Sequence, residues 1–175
     1  AGKLARSSKQ RLAGAHVVAA DIRKSRVGLI TANARAEHPL SVLAADAARP
    51  PLRPGSLDRV LIDAPCSGLG TLRRRPDARW KIDAAAPTRL AAVQRSMVDA
   101  AADLVRPGGL LVYSVCTLTD AESIAVDDHL AATRADLVAE PPPAEPWLPH
   151  GRGARLLPHA AGTDGMYLLR LRRTA

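Results

Sequence analysis

Three short apolar runs that each end in an acid set the pattern of the chain's first third. HVVAAD (His16 to Asp21), SVLAAD (Ser41 to Asp46) and LDRVLID (Leu57 to Asp63) each read as a buried strand. Between the first two, IRKSRVGLITANARA carries Ile22, Val27, Leu29 and Ile30 at helical spacing and predicts a helix. PTRLAAVQRSMVDAAADLV puts Leu90, Val93, Met97, Val98, Ala101, Leu104 and Val105 on one stripe, and Pro107, Gly108 and Gly109 end it. LLVYSV (Leu110 to Val115) is a further buried strand, followed by a helix in DAESIAVDDHLAAT. EPPPAEPWLPHGRG reads as a proline-rich surface connection, and the alternation in MYLLRLRR predicts an edge strand.

Strands that alternate with helices and are apolar throughout imply an α/β fold, a parallel sheet covered by helices on both faces. Ligands of such sheets bind outside the carboxyl ends of the strands. Asp21, Asp46 and Asp63 all fall there and are expected to face one crevice. Asp21 is placed for a ribose hydroxyl if a glycine turn stands at the very start of the chain, where Gly2 and Lys3 lie. A nucleotide-binding sheet normally opens with a strand and a glycine loop. Here helix-like sequence follows Lys3 directly, so the first strand is expected to be missing and residues 1–175 to form one N-terminally incomplete domain.

Composition narrows the class. An apolar fraction of 47% in 175 residues suits a folded domain with a real core. No run approaches 18 uninterrupted apolar residues, and AGKLARSSKQ lacks the apolar stretch of a secretory signal; a cytoplasmic location without membrane is expected. The net charge of +8 suits a polyanionic partner, although the excess of arginine with abundant alanine also fits a compositional bias of the genome. With aromatics at 2%, a surface built on base stacking is not expected.

The two cysteines, Cys66 and Cys116, lack the ligand spacing of a zinc site, and no metal is expected. Both lie just past a strand end, where a purely structural cysteine would more naturally sit inside a strand. Thr119 and Glu122 read as a capping box, which starts a helix directly after Cys116. The partial positive charge of that helix end would favour a thiolate, whereas an ordinary thiol, with a pKa of about 8.5, is only slightly ionised at neutral pH.

DAPCSGLGTLRRRPDARW, LVYSVCTLTDAE and RLLPHAAGTDGMYLLRL together resemble the Sun/Fmu family of RNA cytosine-5 methyltransferases, in the family's order and from Gly2 to the end. The resemblance implies a Rossmann-like class I S-adenosylmethionine-dependent methyltransferase fold. It implies methylation of C5 of a cytosine in RNA, small-subunit (16S) rRNA by preference and tRNA as the alternative. Matched by position, Gly2 and Lys3 close the S-adenosylmethionine loop, Asp21 binds the cofactor ribose, Asp46 lies near the adenine, and Asp63 lies beside the target base and cofactor. Cys116 matches the nucleophile and Cys66 the cysteine of product release. Arg73, Arg74 and Arg75, beside the pocket loop, are candidates for RNA phosphates or for a solvated turn.

Departures from the family are Val115, where Thr is usual, and Met166-Tyr167, where two aromatics are usual. Two competing readings remain at this level. In DNA cytosine-5 methyltransferases the Pro-Cys loop carries the nucleophile, which would be Cys66. A truncated, inactive RNA-binding remnant is the reading outside enzymology.

Overall fold

A computed structural model describes residues 15–33, 39–80 and 82–174. The chain divides into two compact units, Ala1–Pro51 and Leu52–Ala175. Gly2 and Lys3 lie outside the described residues. No helix among the described residues is long and apolar enough to cross a membrane.

In the first unit, β1 (Val17–Asp21) pairs in parallel with β2 (Leu40–Ala44), and α1 (Lys24–Asn33) packs on both. The strand and helix assignments thus follow the apolar pattern. The expected inner face of the helical segment does not: Ile22 and Leu29 are exposed, and only Val27 and Ile30 are half-buried.

The second unit is built on a six-stranded sheet in the order β3-β4-β8-β7-β6, with β5 against β8. β3 (Leu57–Asp63) and β4 (Val105–Val115) are parallel neighbours, in register from Arg59↔Leu110 to Asp63↔Ser114. The two apolar runs that predict parallel pairing therefore meet. The rest of the sheet is antiparallel. β8 (Met166–Arg173) runs against β4, β7 (Gly153–Leu156) and β5 (Leu137–Ala139), and β6 (Trp147–His150) runs against β7.

Two expectations are corrected here. β8 is a central strand rather than an edge. Its alternation reports a sheet with one buried face: Tyr167, Leu169 and Leu171 are buried, while Arg170 and Arg172 occupy the other face. The proline-rich connection is likewise not all loop, since β6 forms inside it.

α2 (Ala86–Leu104) crosses the sheet, with α3 (Ile124–Thr133) beside it; α4 (Pro158–Ala161) is a single turn before β8. Val98, Ala101, Val126 and Leu130 from the helices meet Val60, Ile62, Leu111, Tyr113 and Leu169 from the sheet in one core. Each fully buried aliphatic side chain contributes about 1.5–3 kcal/mol against exposure. The buried stripe of α2 is rotated from the apolar expectation. Val93 is 47% exposed and Gln94 is fully buried, because Gln94 has polar partners inside.

Candidate active site

β3 and β4 end side by side, so the loops that follow them start from a fixed register. Ala64 N–H donates to the Ser114 carbonyl (3.2 Å), which carries the ladder one step past Asp63. The chain then passes Pro65 and Cys66 and turns at Gly68, whose φ of 71° suits glycine. Gly70 N–H donates to the Cys116 carbonyl (3.0 Å), and Gly165 N–H donates to the Gly70 carbonyl (2.8 Å). A Cβ at Gly70 would stand 2.1 Å from the Gly165 oxygen and 2.9 Å from that of Cys116, so only glycine fits where these three loops meet.

This arrangement brings Cys66 and Cys116, fifty residues apart in the chain, to a sulfur–sulfur distance of 3.2 Å as free, half-buried thiols. That is hydrogen-bonding contact, well beyond a covalent S–S bond of about 2.05 Å. Cys66 packs against the apolar core, so its charged form is the costlier one, and it keeps the proton. Donation to the Cys116 sulfur, reinforced by burial, pushes the Cys66 thiol far up. The same hydrogen bond pulls Cys116 down to about 7, against burial and the negative charges of Asp63 and Asp164. The pair is therefore unequal: Cys66 holds its proton, and Cys116 is the more readily ionised thiol.

The source of this ionisation differs from the sequence expectation. No helix starts directly after Cys116. A 3-10 turn (Asp120–Glu122) intervenes, and α3 begins only at Ile124. Thr119 does not cap a backbone N–H; its hydroxyl donates to the Glu122 carboxylate (2.9 Å). The thiolate therefore owes its ionisation to the Cys66 S–H rather than to a helix end.

Glu122, Ser67, Gln94 and Thr117 are site residues that sequence reasoning passed over. Glu122 is fully buried, and its carboxylate accepts from Ser67 N–H (2.7 Å), Ser67 Oγ (2.5 Å), Thr117 Oγ1 (3.0 Å), Thr119 Oγ1 and Gln94 Nε2 (3.1 Å). Gln94 Nε2 also donates to the Pro65 carbonyl (2.9 Å), and the Tyr113 hydroxyl donates to the Glu122 carbonyl (2.8 Å). The available signal was a glutamine within an otherwise apolar helical face. The T-x-x-E spacing instead resembled a cap.

Among the three arginines beside the pocket loop, Arg74 has a partner in the protein. Its Nε lies 2.9 Å from each Asp164 oxygen, and Nη2 also contacts Asp164. Asp164 holds the guanidinium's value up, and the Cys116 sulfur adds to this. Arg73 and Arg75 are exposed. Further along the same loop, Trp80 is 78% exposed, with the Arg79 guanidinium 4.4 Å from its ring centre.

In the first unit, Asp21 and Asp46 repeat one local device. Each lies at or just past a strand end and accepts from the backbone N–H two residues on: Asp21 Oδ1 from Arg23 (2.8 Å) and Asp46 Oδ1 from Ala48 (2.9 Å). The second Asp21 oxygen has only a long contact with Arg26, at 3.5 Å. Carboxylates held at one oxygen can accept from hydroxyl and amine donors at the other, and such acceptors suit the ribose hydroxyls and adenine amine of S-adenosylmethionine. Among the described residues no group of three or more His, Cys, Asp or Glu side chains could hold a metal ion.

The fold defines a class first: an α/β domain of the Rossmann-like type found in S-adenosylmethionine-dependent methyltransferases. NSun6 from Pyrococcus horikoshii, crystallised with SFG, superposes with a TM-score of 0.77 at 26% identity, over 91% of this chain and 42% of that one. The model of the 16S rRNA methyltransferase RsmB/F family matches residues 3–172, and the chain belongs to that family. It is 40% identical over 121 residues to the ribosomal RNA small subunit methyltransferase B of Thermus thermophilus, covering 69% of this chain and 30% of the relative. The namesake protein of Pasteurella multocida is 32% identical over 167 residues, 91% of this chain and 37% of its own length. The chain thus spans about a third of the length of these relatives.

Proposed function

We propose that the protein containing this chain methylates C5 of a cytosine in RNA, with 16S rRNA as the substrate, using S-adenosylmethionine and a covalent bond from Cys116 to C6 of the base. The observation that carries this reading is the 3.2 Å contact between the two sulfurs, in which donation by Cys66 favours Cys116 as the thiolate. It also favours Cys116 over Cys66 as the attacking group, against the order used by the DNA enzymes. Membership of a family of 16S rRNA methyltransferases supports the substrate class, and action on that RNA implies a cytoplasmic site of work.

Cytosine C5 is a weak nucleophile. Addition of the Cys116 thiolate to C6 forms a C–S bond and moves the ring's electron pair towards C5. Asp63, whose charge faces Cys116, would accept from the N4 amine of the base and so hold its edge in place. Bound S-adenosylmethionine supplies the electrophilic sulfonium methyl that C5 takes up. Loss of the C5 proton to solvent then restores the ring double bond and expels Cys116. Cys66 S–H stabilises Cys116 as a thiolate both before attack and on departure, which gives Cys66 its part in product release. Asp21 and Asp46 would hold the cofactor's ribose and adenine, and Gly2 and Lys3 are assigned to its loop by their match to the family. The target base must leave its stack to reach the thiolate, and Arg73 and Arg75 are the proposed phosphate contacts.

The test is methyl transfer to 16S rRNA by the full-length protein. Cys116→Ala is expected to abolish it, a loss of about 10²-fold or more for removal of a covalent nucleophile. Activity retained by Cys116→Ala overturns the reading.

A further inference from the structure

The buried carboxylate of Glu122 makes no hydrogen bond to either sulfur, yet it holds the residue that follows each of them. Ser67 follows Cys66 and gives Glu122 both its N–H (2.7 Å) and its hydroxyl (2.5 Å); Thr117 follows Cys116 and gives its hydroxyl (3.0 Å). The Ser67 and Thr117 oxygens stand 3.0 Å apart on that carboxylate. On the other side of Cys66, the Pro65 carbonyl is fixed by Gln94, which also donates to Glu122. Two loops fifty residues apart in sequence are thus pinned to one group, one residue away from each thiol.

A buried carboxylate is an expensive way to join two loops. Its desolvation is offset only by full hydrogen bonding, and an apolar contact of similar volume is often as stable. Its particular virtue is geometric. Both its oxygens accept, with about four lone-pair sites shared among the five donors, which an amide cannot match, since one end of an amide is itself a donor. We infer that Glu122 is a positioning residue, which fixes the distance between the Cys66 and Cys116 sulfurs by gripping Ser67 and Thr117. Through that distance it maintains the sulfur–sulfur hydrogen bond and so decides which sulfur keeps the proton. The inference rests on the reading of Cys116 as the attacking thiolate. The charged groups facing that sulfur are Asp63, Asp164 and the Arg74 paired with Asp164, and none of them is altered in the test.

The test is iodoacetamide labelling of the full-length protein across a pH series, with the two cysteines resolved by peptide mass spectrometry. In E122Q the labelling midpoint of Cys116 is expected to rise by about one unit, a roughly tenfold slower reaction below the midpoint. Y113F is the structural control. It removes the hydrogen bond from the Tyr113 hydroxyl to the Glu122 carbonyl, and it is expected to lower thermal stability while leaving the midpoint in place. A wild-type midpoint in folded E122Q overturns the inference, as does an equal rise in Y113F. If E122Q does not fold, S67A and T117V each remove one donor and carry the test: a raised midpoint supports the clamp, and an unchanged one in both overturns it. Labelling needs neither RNA nor S-adenosylmethionine. Methyl transfer surviving in Cys116→Ala would therefore sink the proposed reaction while leaving this result standing.

Discussion

The sulfurs of Cys66 and Cys116 lie 3.2 Å apart, and the hydrogen bond between them raises one thiol and lowers the other. A proton shared in this way makes the two residues unequal before any substrate arrives. The inequality follows from packing, because Cys66 packs against the apolar core that includes Val60, Ile62 and Tyr113 while Cys116 is not part of it.

The pH dependence of Cys116 follows with a definite sign. Its folded value is lowered to about 7, so its reactivity is expected to rise with pH and level off above that point. Cys66→Ala removes the lowering contact but leaves burial, Asp63 and Asp164, all of which raise the value. The Cys116 labelling midpoint should therefore move up, to or beyond the ordinary thiol value of about 8.5. For stability, ionisation of Cys116 favours the folded state as pH rises through about 7, and the gain is lost as pH falls back through it. The raised value of Cys66 works the other way above about 8.5, where the unfolded thiol ionises and the folded one resists. Wild type minus the double Cys→Ser variant, followed by urea unfolding, should show a maximum between these limits.

The ion pair of Arg74 with Asp164 tunes the same sulfur. Asp164 opposes the Cys116 thiolate, and Arg74 offsets that charge. Arg74→Ala is expected to raise the labelling midpoint of Cys116, and Asp164→Asn to lower it. Each shift should be about half a unit, a roughly threefold change in rate near neutral pH, reduced at high salt because the pair is exposed.

Much of this geometry is written in the apolar pattern. The runs ending at Asp21, Asp63 and Val115 mark real strand ends, and both cysteines fall just beyond strands because strand-end loops are where an α/β sheet presents chemistry. What the pattern misses has a physical cause in each case. Alternation in β8 reports one buried face and carries no information on whether neighbours pair on both edges. Thr119 and Glu122 have capping-box spacing, yet the carboxylate is captured by Ser67 and Gln94, which are 55 and 28 residues away. The inward turn of Gln94 and the outward turn of Val93 depend on the same distant partner. Local spacing cannot register contacts of that range.

The proposed RNA contacts of Arg73 and Arg75 are open to a salt titration. Phosphate contacts to single strands each contribute about 0.7 to the slope of log affinity against log salt. The double Arg73→Ala, Arg75→Ala variant is therefore expected to bind substrate RNA more weakly at low salt, with a slope smaller by about 1.4. An unchanged slope would assign these arginines to a solvated turn. Arg74 is held by Asp164 and should contribute less.

The central claim is that Cys116 attacks while Cys66 assists release. The most direct measurement is mass spectrometry of the protein–RNA adduct trapped on a denaturing gel, using full-length Cys66→Ala with RNA and S-adenosylmethionine. The account predicts that this variant accumulates the adduct and that the cross-linked peptide carries Cys116. Accumulation in Cys116→Ala instead, with the cross-link on Cys66, would reverse the two roles and contradict it.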